Sequence, residues 1–282
     1  MSEVVCVNGV ITSDGRVSMD DRGFTLGDGL FETIPLYKGA PHMLDRHLAR
    51  LRDGAAAIGL AIPFDDGKVA ESIAALSGEN SVTRGVARLT VTRGEGPRGY
   101  GVKGCDTPLW VLTVRPYEPI PEDKWKMGWR LSPAKLKKDP LSVLCKLKST
   151  SALERVITLE DAKKEGADEA LALTVNGHVS SCVAANIFWV SEGTLYTPST
   201  SCAILPGVTR SVVMELARKE GIDVEEGEYS PEALRGAEEV FTTNSLVEIM
   251  PVGQIAGIYG AGETPGPVTK LLSRKYRQSA AG

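Results

Sequence analysis

Residues 170–190, ALALTVNGHVSSCVAANIFWV, carry the clearest structural signal in this chain. Residues 170–175 read as a strand, and the pair Asn176-Gly177 then interrupts the apolar run before it resumes. Asn-Gly is the favoured pair for a two-residue hairpin turn. We therefore predict a β-hairpin here and a further strand over 186–190.

Helical and strand patterns continue on both sides of this hairpin. Apolar residues recur at helical spacing in 43–60, and again in 151–164, where Leu153, Val156, Ile157 and Ala162 predict one buried face. The full prediction is helices at 43–60, 68–76, 151–164 and 209–220, with strands at 4–7, 31–36, 86–92, 109–114, 170–175, 186–190, 194–196 and 239–243. Hairpins mixed with helices indicate an α+β fold.

The best domain boundary is the segment RPYEPIPEDK at 115–124. Its three prolines are too closely spaced for a helix or a central strand to persist. A chain of 282 residues is also long enough for about two domains. We predict two α+β domains, residues 1–117 and 118–282.

Composition excludes several classes of protein. The 32 Lys and Arg against 36 Asp and Glu give a net charge of −4, so no global positive field attracts nucleic acid or an anionic membrane. The five scattered cysteines form no C-x-x-C pair, which argues against a disulfide framework or a zinc site. No run of 18 apolar residues is present. We expect a cytoplasmic protein without a metal.

The loop RGEGPRG at 93–99 has the formal spacing G-x-G-x-x-G. A dinucleotide site needs a helix to begin there, and the following residues, with two more glycines and a proline, predict none. We interpret the loop instead as a two-arginine clamp, in which Arg93 and Arg98 bind a carboxylate. The alternative is a solvated glycine loop with surface arginines.

Two other segments suggest chemistry. In ILPGVTRSVVMELARKEG, 204–221, a Pro-Gly loop leads into a helix, an arrangement that favours phosphate binding; a capped helix that binds nothing is the alternative. In PLSVLCKLKST, 140–150, Lys146 or Lys148 next to apolar residues suits a Schiff-base nucleophile. Alternation puts both lysines on one face, so the pattern cannot choose between them.

Eight ordered blocks of the sequence resemble the class IV aminotransferases, the fold-type IV pyridoxal 5'-phosphate (PLP) enzymes. That family includes D-amino-acid and branched-chain aminotransferases and 4-amino-4-deoxychorismate lyase. The resemblance implies a two-domain α+β architecture, PLP as cofactor, an amino acid or amino-carboxylate substrate and a homodimer. The blocks are MDDRGFTLGDGLFET, RHLARL, VTRGEGPRGYG, KSTSALERV, GADEALAL, NGHVSSCVAANIFWV, LYTPSTSCAILPGVTR and VFTTNSLVEIMPV.

The resemblance also assigns roles to single residues. Lys148 matches the lysine that forms the aldimine with PLP, because that lysine stands eighteen residues before the block beginning at Gly166. This places the aldimine lysine in the C-terminal domain. Arg50 matches an arginine that pairs with the cofactor phosphate. The other residues matched to cofactor contacts are Ser181, Gly207, Val208, Thr209, Asn244 and Ser245.

Ser181 is a departure from the family pattern. The family has V-T-E-x-x-x-x-N, whose glutamate bonds the pyridine nitrogen of PLP, and counting back from Asn186 gives Ser181. A hydroxyl cannot supply the negative charge that keeps this nitrogen protonated. We expect the nitrogen to be unprotonated, or held by another group such as Ser180. Slow transamination, or β-elimination, is the expected consequence.

The loop that contains Arg98 and Tyr100 resembles the R-G-x-G-x-R-G-Y pattern of aminodeoxychorismate lyases. The predicted substrate contacts are Phe31, Arg93, Arg98 and Tyr100. Such a lyase releases pyruvate and leaves 4-aminobenzoate, a folate precursor. A D-amino-acid or related aminotransferase is the second hypothesis. A catalytically impaired cofactor-binding homologue, motivated by Ser181, is the third.

Overall fold

The computed structural model describes residues 4–281, which separate into two compact units. The first unit runs to Glu118 and also includes Leu147–Ala152. The second unit contains Pro119–Lys146 and the residues from Leu153 onward. Both units combine helices with a sheet, as the α+β prediction requires.

The first unit is built around an antiparallel sheet. Within its described residues this sheet has six strands in the order β2-β1-β6-β5-β3-β4. The strands are β1 Val5–Val7, β2 Val10–Thr12, β3 Gly29–Tyr37, β4 Ala40–Pro41, β5 Arg84–Thr92 and β6 Leu109–Pro116. The helices are α1 Arg22–Leu26, α2 Leu44–Ala57 and α3 Asp66–Glu79.

The core of the first unit lies between its sheet and two of its helices. In α2, Leu48, Leu51 and Ala55 are buried, which confirms the helical periodicity predicted for this segment. They pack in one apolar cluster with Leu30 and Ile34 of β3. Burial of each such leucine or isoleucine contributes about 1.5–3 kcal/mol. This packing fixes β3 and α2, which carry several predicted site residues.

The second unit contains a mixed sheet of nine strands among the described residues, in the order β12-β11-β10-β13-β14-β7-β8-β9, with β15 on β14. The strands are β7 Trp129–Pro133, β8 Glu169–Leu173, β9 Val179–Cys182, β10 Asn186–Ser191, β11 Thr194–Pro198, β12 Val224–Gly227, β13 Glu239–Asn244, β14 Glu248–Ile255 and β15 Tyr259–Gly260. The helices are α4 Glu122–Met127, α5 Leu153–Lys164, α6 Val208–Lys219, α7 Glu232–Arg235 and α8 Pro267–Ala281, with short 3-10 turns at Val143–Lys146 and Thr200–Cys202.

The hairpin predicted from Asn176-Gly177 is present. β8 and β9 pair antiparallel, with Leu173 opposite Val179. Gly177 turns the chain at a φ of 88°, a left-handed value that glycine adopts without the penalty paid by other residues. The hairpin brings β9, and therefore Ser181, alongside β8.

Two predictions about the lysine segment and its following helix are wrong. Leu153, Val156 and Ile157 of α5 are exposed, Leu153 by 72%, and only Ala162 of the predicted buried face is buried. Lys148 belongs to the first unit and not to a domain beginning at 118. The physical reason is strand-like pairing, because Phe31 N donates to Lys148 O at 2.8 Å and Thr150 N donates to Gly29 O at 2.9 Å.

Among residues 4–281, no helix combines the length and the apolar character needed to cross a membrane.

Candidate functional site

Lys148 is held by the start of β3. Its carbonyl accepts from Phe31 N, and the neighbouring residue Ser149 forms an antiparallel bridge with Leu30. Alternation along this extended segment buries Leu147 and Ser149 and leaves Lys148 half-buried on the other face. The backbone therefore positions the lysine amine, which is the group that a Schiff-base enzyme needs.

Phe31 lies beneath two cations in the first unit. The Lys148 Nζ is 4.4 Å from the centre of the Phe31 ring, and the Arg88 guanidinium carbon is 3.9 Å from it. Aromatic faces attract cations at these distances. Lys146, the alternative lysine of the sequence analysis, is exposed at the end of a 3-10 turn. The structure thus gives Lys148, and not Lys146, an ordered environment.

Arg50 is oriented by a buried carboxylate. Its Nε and Nη2 donate to Glu32 at 2.8 and 2.6 Å, and His47 Nδ1 lies 2.8 Å from the same carboxylate. Burial alone would raise the pKa of Glu32, but the hydrogen bonds and charges of His47 and Arg50 outweigh it and lower the pKa to about 2. Glu32 is therefore ionised and fixes the Arg50 guanidinium in one orientation.

The Arg93 guanidinium forms its hydrogen bonds with other groups of the protein. Its Nε donates to Asp28 at 2.9 Å, and Nη1 and Nη2 donate to the carbonyls of Gly59 and Ile58 at 2.8 and 2.9 Å. Arg22 Nε donates to the same Asp28 oxygen at 2.9 Å. Arg93 is buried within this cluster. The structure therefore contradicts the two-arginine clamp, and Arg93 is better explained as the residue that anchors the start of the glycine loop.

Arg98 and Tyr100 occupy the outer part of the same loop. Both are exposed, Tyr100 by 89%. Gly94, with a φ of 78°, starts the loop, and a Cβ there would overlap the Thr107 carbonyl. No helix follows Gly99, as the argument against a dinucleotide site requires. Of the two predicted clamp residues, Arg98 alone presents its guanidinium at the surface of the first unit.

The predicted anion site in the second unit lies at the start of α6. Gly207 is the N-cap residue, and no side chain caps the helix. The first N–H groups of a helix have no partner within it and favour an anion. A Cβ on Gly207 would overlap the Asn186 amide oxygen, so only glycine fits beside that side chain. Val208 and Thr209, which follow, are both buried.

The turn after β13 supplies further polar groups. Asn244 Oδ1 accepts from Leu246 N and Val247 N at 2.8 Å each, and its Nδ2 donates to the Ala184 carbonyl at 3.1 Å. The Asn244 side chain is thus used to shape the turn that presents Ser245. Thr243, paired with Asn186 across the strands, has a buried hydroxyl without a hydrogen-bond partner in the described chain.

Ser181 is buried on β9, and its hydroxyl has two partners. Lys138 Nζ donates to Ser181 Oγ at 2.6 Å, and Ser181 Oγ donates to the Cys182 carbonyl at 3.1 Å. Ser180, the alternative ring-nitrogen partner, is fully buried and donates to the Ala203 carbonyl at 3.4 Å. Residues next to each other in a strand face opposite sides. Ser180 therefore does not share the face of Ser181.

Each unit by itself carries groups of the kind that a phosphate-bearing aldehyde cofactor needs. The second unit supplies an uncapped helix start, a glycine that allows close approach, and an unpartnered buried hydroxyl at Thr243. The first unit supplies an ordered amine at Lys148 and an oriented guanidinium at Arg50. Phosphate needs N–H, hydroxyl and cationic donors, and the aldehyde needs an amine. The fold and these groups define a PLP-dependent enzyme.

Comparison with known proteins agrees, and the chain belongs to the class IV aminotransferase family, whose model matches residues 29–255. D-alanine aminotransferase of Listeria monocytogenes serotype 4b is 34% identical over 266 residues, 93% of this chain and 90% of that protein. Aminodeoxychorismate lyase of Bacillus subtilis is 30% identical over 279 residues, 98% of this chain and 94% of that protein. The solved 4-amino-4-deoxychorismate lyase of Pseudomonas aeruginosa has a TM-score of 0.86 and 32% identity, covering 97% and 98% of the two chains.

The predicted fold-type IV architecture, the family and the PLP cofactor are thereby confirmed.

Sequence reasoning missed Glu32, Arg88 and Lys138. Glu32 had a usable signal, because His47 and Arg50 stand three residues apart on one face of a predicted helix and their pairing requires a buried acid. No sequence signal indicated Arg88 or Lys138, since each contacts its partner only in the folded chain.

Proposed function

We propose that this PLP-dependent enzyme acts on an amino-carboxylate through the Lys148 amine, and that it eliminates pyruvate from aminodeoxychorismate to leave 4-aminobenzoate. The observation that carries the proposal is the position of Lys148, whose backbone pairs with Phe31 and whose Nζ lies 4.4 Å from the Phe31 ring. An amine fixed against an apolar ring is partly shielded from water. Attack on an aldehyde requires an amine that is held in place in this way.

The proposed cofactor contacts are described for each unit in turn. In the second unit, the N–H groups of Val208 and Thr209 bind the phosphate, with Gly207 allowing close approach and the Asn244 turn presenting the Ser245 hydroxyl. In the first unit, Arg50 is the cation that the resemblance assigns to the phosphate. Ser181 faces the ring nitrogen. When bound, PLP supplies the carbonyl that joins the amine and withdraws electrons from the substrate α-carbon.

The proposed substrate contacts lie in the first unit. Lys148 Nζ removes the proton from the substrate α-carbon and returns a proton as the product leaves. Phe31 forms an apolar wall that excludes water from this amine. Arg98 binds a substrate carboxylate, and the Tyr100 hydroxyl adds a hydrogen bond. Arg88, which stacks on Phe31, places a second positive charge beside the same wall.

The environment of Ser181 favours elimination over transamination. Among the described residues, Ser181 contacts the Lys138 amine and no carboxylate, so this part of the chain does little to keep a ring nitrogen protonated. An unprotonated ring withdraws electrons less strongly. Elimination from aminodeoxychorismate has a further driving force, because loss of pyruvate makes the remaining ring, which keeps the amine, aromatic. It therefore depends less on electron withdrawal by the cofactor than transamination does.

D-amino-acid transamination is the second candidate. It is supported by the 34% identity to a D-alanine aminotransferase over 93% of this chain. The same lysine and phosphate contacts serve both reactions. Transamination transfers the amino group to an acceptor keto acid, whereas elimination releases pyruvate and leaves the amine on the aromatic product. A homodimer, expected from the resemblance, stays a prediction.

Assays with two substrates distinguish the lyase from the aminotransferase. Purified protein loaded with PLP is given aminodeoxychorismate without a keto acid, and 4-aminobenzoate is followed by fluorescence while pyruvate is followed with lactate dehydrogenase. It is then given D-alanine with and without 2-oxoglutarate. We expect the aromatic amine from the first reaction, and loss of turnover in Lys148→Ala but not in the matched control Lys146→Ala.

Other outcomes decide against the first candidate. Pyruvate from D-alanine only in the presence of the keto acid, with no aromatic amine from aminodeoxychorismate, identifies an aminotransferase. Binding of PLP with no turnover of either substrate identifies the impaired homologue. Full activity of Lys148→Ala contradicts the assignment of the lysine in every case.

A further inference from the structure

Lys138 is placed by the strand hairpin of the second unit. Its N–H donates to the Leu173 carbonyl and its carbonyl accepts from Val175 N, both at 2.9 Å. These bonds hold the segment parallel to the end of β8, opposite Thr174. The half-buried side chain then reaches β9, where Nζ donates to Ser181 Oγ at 2.6 Å. Backbone pairing, and not chance surface proximity, therefore brings this lysine to Ser181.

The direction of this hydrogen bond determines what Ser181 can offer. An ammonium group has donors and no acceptor, so Ser181 Oγ must accept from Lys138 and turn its own O–H elsewhere. In the structure that O–H points to the Cys182 carbonyl at 3.1 Å, a long bond for a hydroxyl donor. A better-placed acceptor would compete with this carbonyl. The neighbouring cation also polarises the hydroxyl and strengthens it as a donor.

Charged groups of both signs act on Lys138, Glu169 and Arg155 among them. No carboxylate in the described chain forms an ion pair with it. Glu169, the acid whose charge acts on Lys138, accepts instead from Ala170 N, Val183 N and Ala184 N at 2.9–3.2 Å. Burial raises the pKa of the Cys145 and Cys182 thiols, so both are neutral at ordinary pH, and Arg155 adds a second cation. The position is electropositive, whereas the family pattern has a carboxylate.

We propose that Lys138 and Ser181 act together as a cationic hydrogen-bond donor to the ring nitrogen of PLP, and that they keep this nitrogen unprotonated. The inference rests on the proposed function, in which Ser181 faces that nitrogen. A carboxylate presents an acceptor and a negative charge, and so stabilises a ring N–H. The Lys138–Ser181 pair presents a donor and a positive charge, and so stabilises the bare nitrogen.

Burial lowers the pKa of Lys138, and the negative charge of Glu169 opposes this effect. An uncharged lysine amine could accept from Ser181 and reverse the hydrogen bond. Arginine cannot lose its charge, so Lys138→Arg distinguishes the two possibilities. Lys138→Met removes the charge while keeping an unbranched side chain, and leaves both backbone bonds of residue 138 available.

The test is nitrogen NMR of protein loaded with PLP labelled with ¹⁵N in its ring, because protonated and bare ring nitrogens resonate far apart. At pH 7 we expect a bare nitrogen in the parent and in Lys138→Arg. In Ser181→Glu the new carboxylate pairs with Lys138, so the nitrogen stays largely bare. Only Lys138→Met combined with Ser181→Glu becomes protonated. In Lys138→Met alone, the pKa of the ring nitrogen rises by about one unit or more.

Controls separate this inference from the proposed function. Lys137→Met removes the same charge from an exposed neighbour and should leave the nitrogen signal unchanged. PLP affinity, measured by spectral titration, reports whether each variant still binds the cofactor. A parent that does not bind PLP defeats the proposed function. A parent that binds PLP with a protonated nitrogen, or whose Ser181→Glu and double variants give the same signal, overturns the inference alone.

Discussion

The ion-pair cluster around Glu32 gives a quantitative prediction for Glu32→Gln. Glu32 is fully buried and accepts from Arg50 Nε and Nη2 and from His47. Its pKa falls from 4.5 to about 2. At about 1.36 kcal/mol for each pKa unit, the ionised carboxylate stabilises the first unit by about 3 kcal/mol at neutral pH. Breaking a buried ion pair costs a similar amount, about 3–5 kcal/mol.

The sign of the pH dependence follows from the lowered pKa. A carboxyl whose pKa is lower in the folded state stabilises the protein fully above the unfolded value of 4.5, and this stabilisation is lost as the pH falls towards 2. The difference between parent and Glu32→Gln should therefore be largest at pH 7. It should fall to about 1 kcal/mol at pH 3.

Native-state hydrogen exchange measures this difference locally. We expect the amides of β3 and α2 to exchange about 100-fold faster in Glu32→Gln than in the parent at pH 7, after correction for intrinsic rates. Asp53→Asn, an exposed acid on the same helix, is the matched control and should exchange like the parent. Equal protection of parent and Glu32→Gln, or a difference that does not shrink by pH 3, would refute the reasoning.

Other positions give direct tests of the site. Gly207→Ala places a Cβ against the Asn186 amide oxygen, so PLP affinity in a spectral titration should fall by about tenfold or more, while unchanged affinity would contradict the close-approach argument. Arg93→Ala should lower the free energy of unfolding by about 3 kcal/mol, because it removes a buried guanidinium that binds the half-buried Asp28 carboxylate and two backbone carbonyls. Arg98→Ala should leave the stability measured by thermal unfolding unchanged and raise the KM for the carboxylate substrate. If Arg98→Ala instead lowers stability and Arg93→Ala instead raises the KM, the roles given to the two arginines are wrong.

Local sequence patterns correctly predicted the elements whose structure is determined mainly by residues close to them in the chain. The periodicity of Leu48, Leu51 and Ala55 predicted α2 and its buried face, and Asn176-Gly177 predicted the β8–β9 hairpin. In both segments the local preference and the packing agree.

The same patterns gave wrong predictions where contacts between distant segments determine which residues are buried and which unit they join. The apolar spacing in α5 predicted a helix correctly, but spacing cannot say whether another element covers Leu153, Val156 and Ile157, and all three are exposed. Lys148 follows a proline-marked boundary in the chain yet pairs with β3, a preference that only the three-dimensional fold reveals.

In the candidate site, too, local motifs were predicted correctly and long-range contacts were not. Motifs located Gly207, Val208 and Thr209 because a helix start is a local feature. They could not show that Arg93 is fully engaged by Asp28 and two backbone carbonyls, since these partners are 34 to 65 residues away in sequence. Lys138 and Ser181 are 43 residues apart, and no pattern connects them.

The identity of the lysine that binds PLP is the claim on which the rest depends. Borohydride reduction of the PLP-loaded protein fixes the cofactor on its lysine, and peptide mass spectrometry then locates it. We predict the modification on Lys148, and its loss in Lys148→Ala. Modification of Lys146 or Lys138 in the parent, or of no lysine at all, would contradict the account.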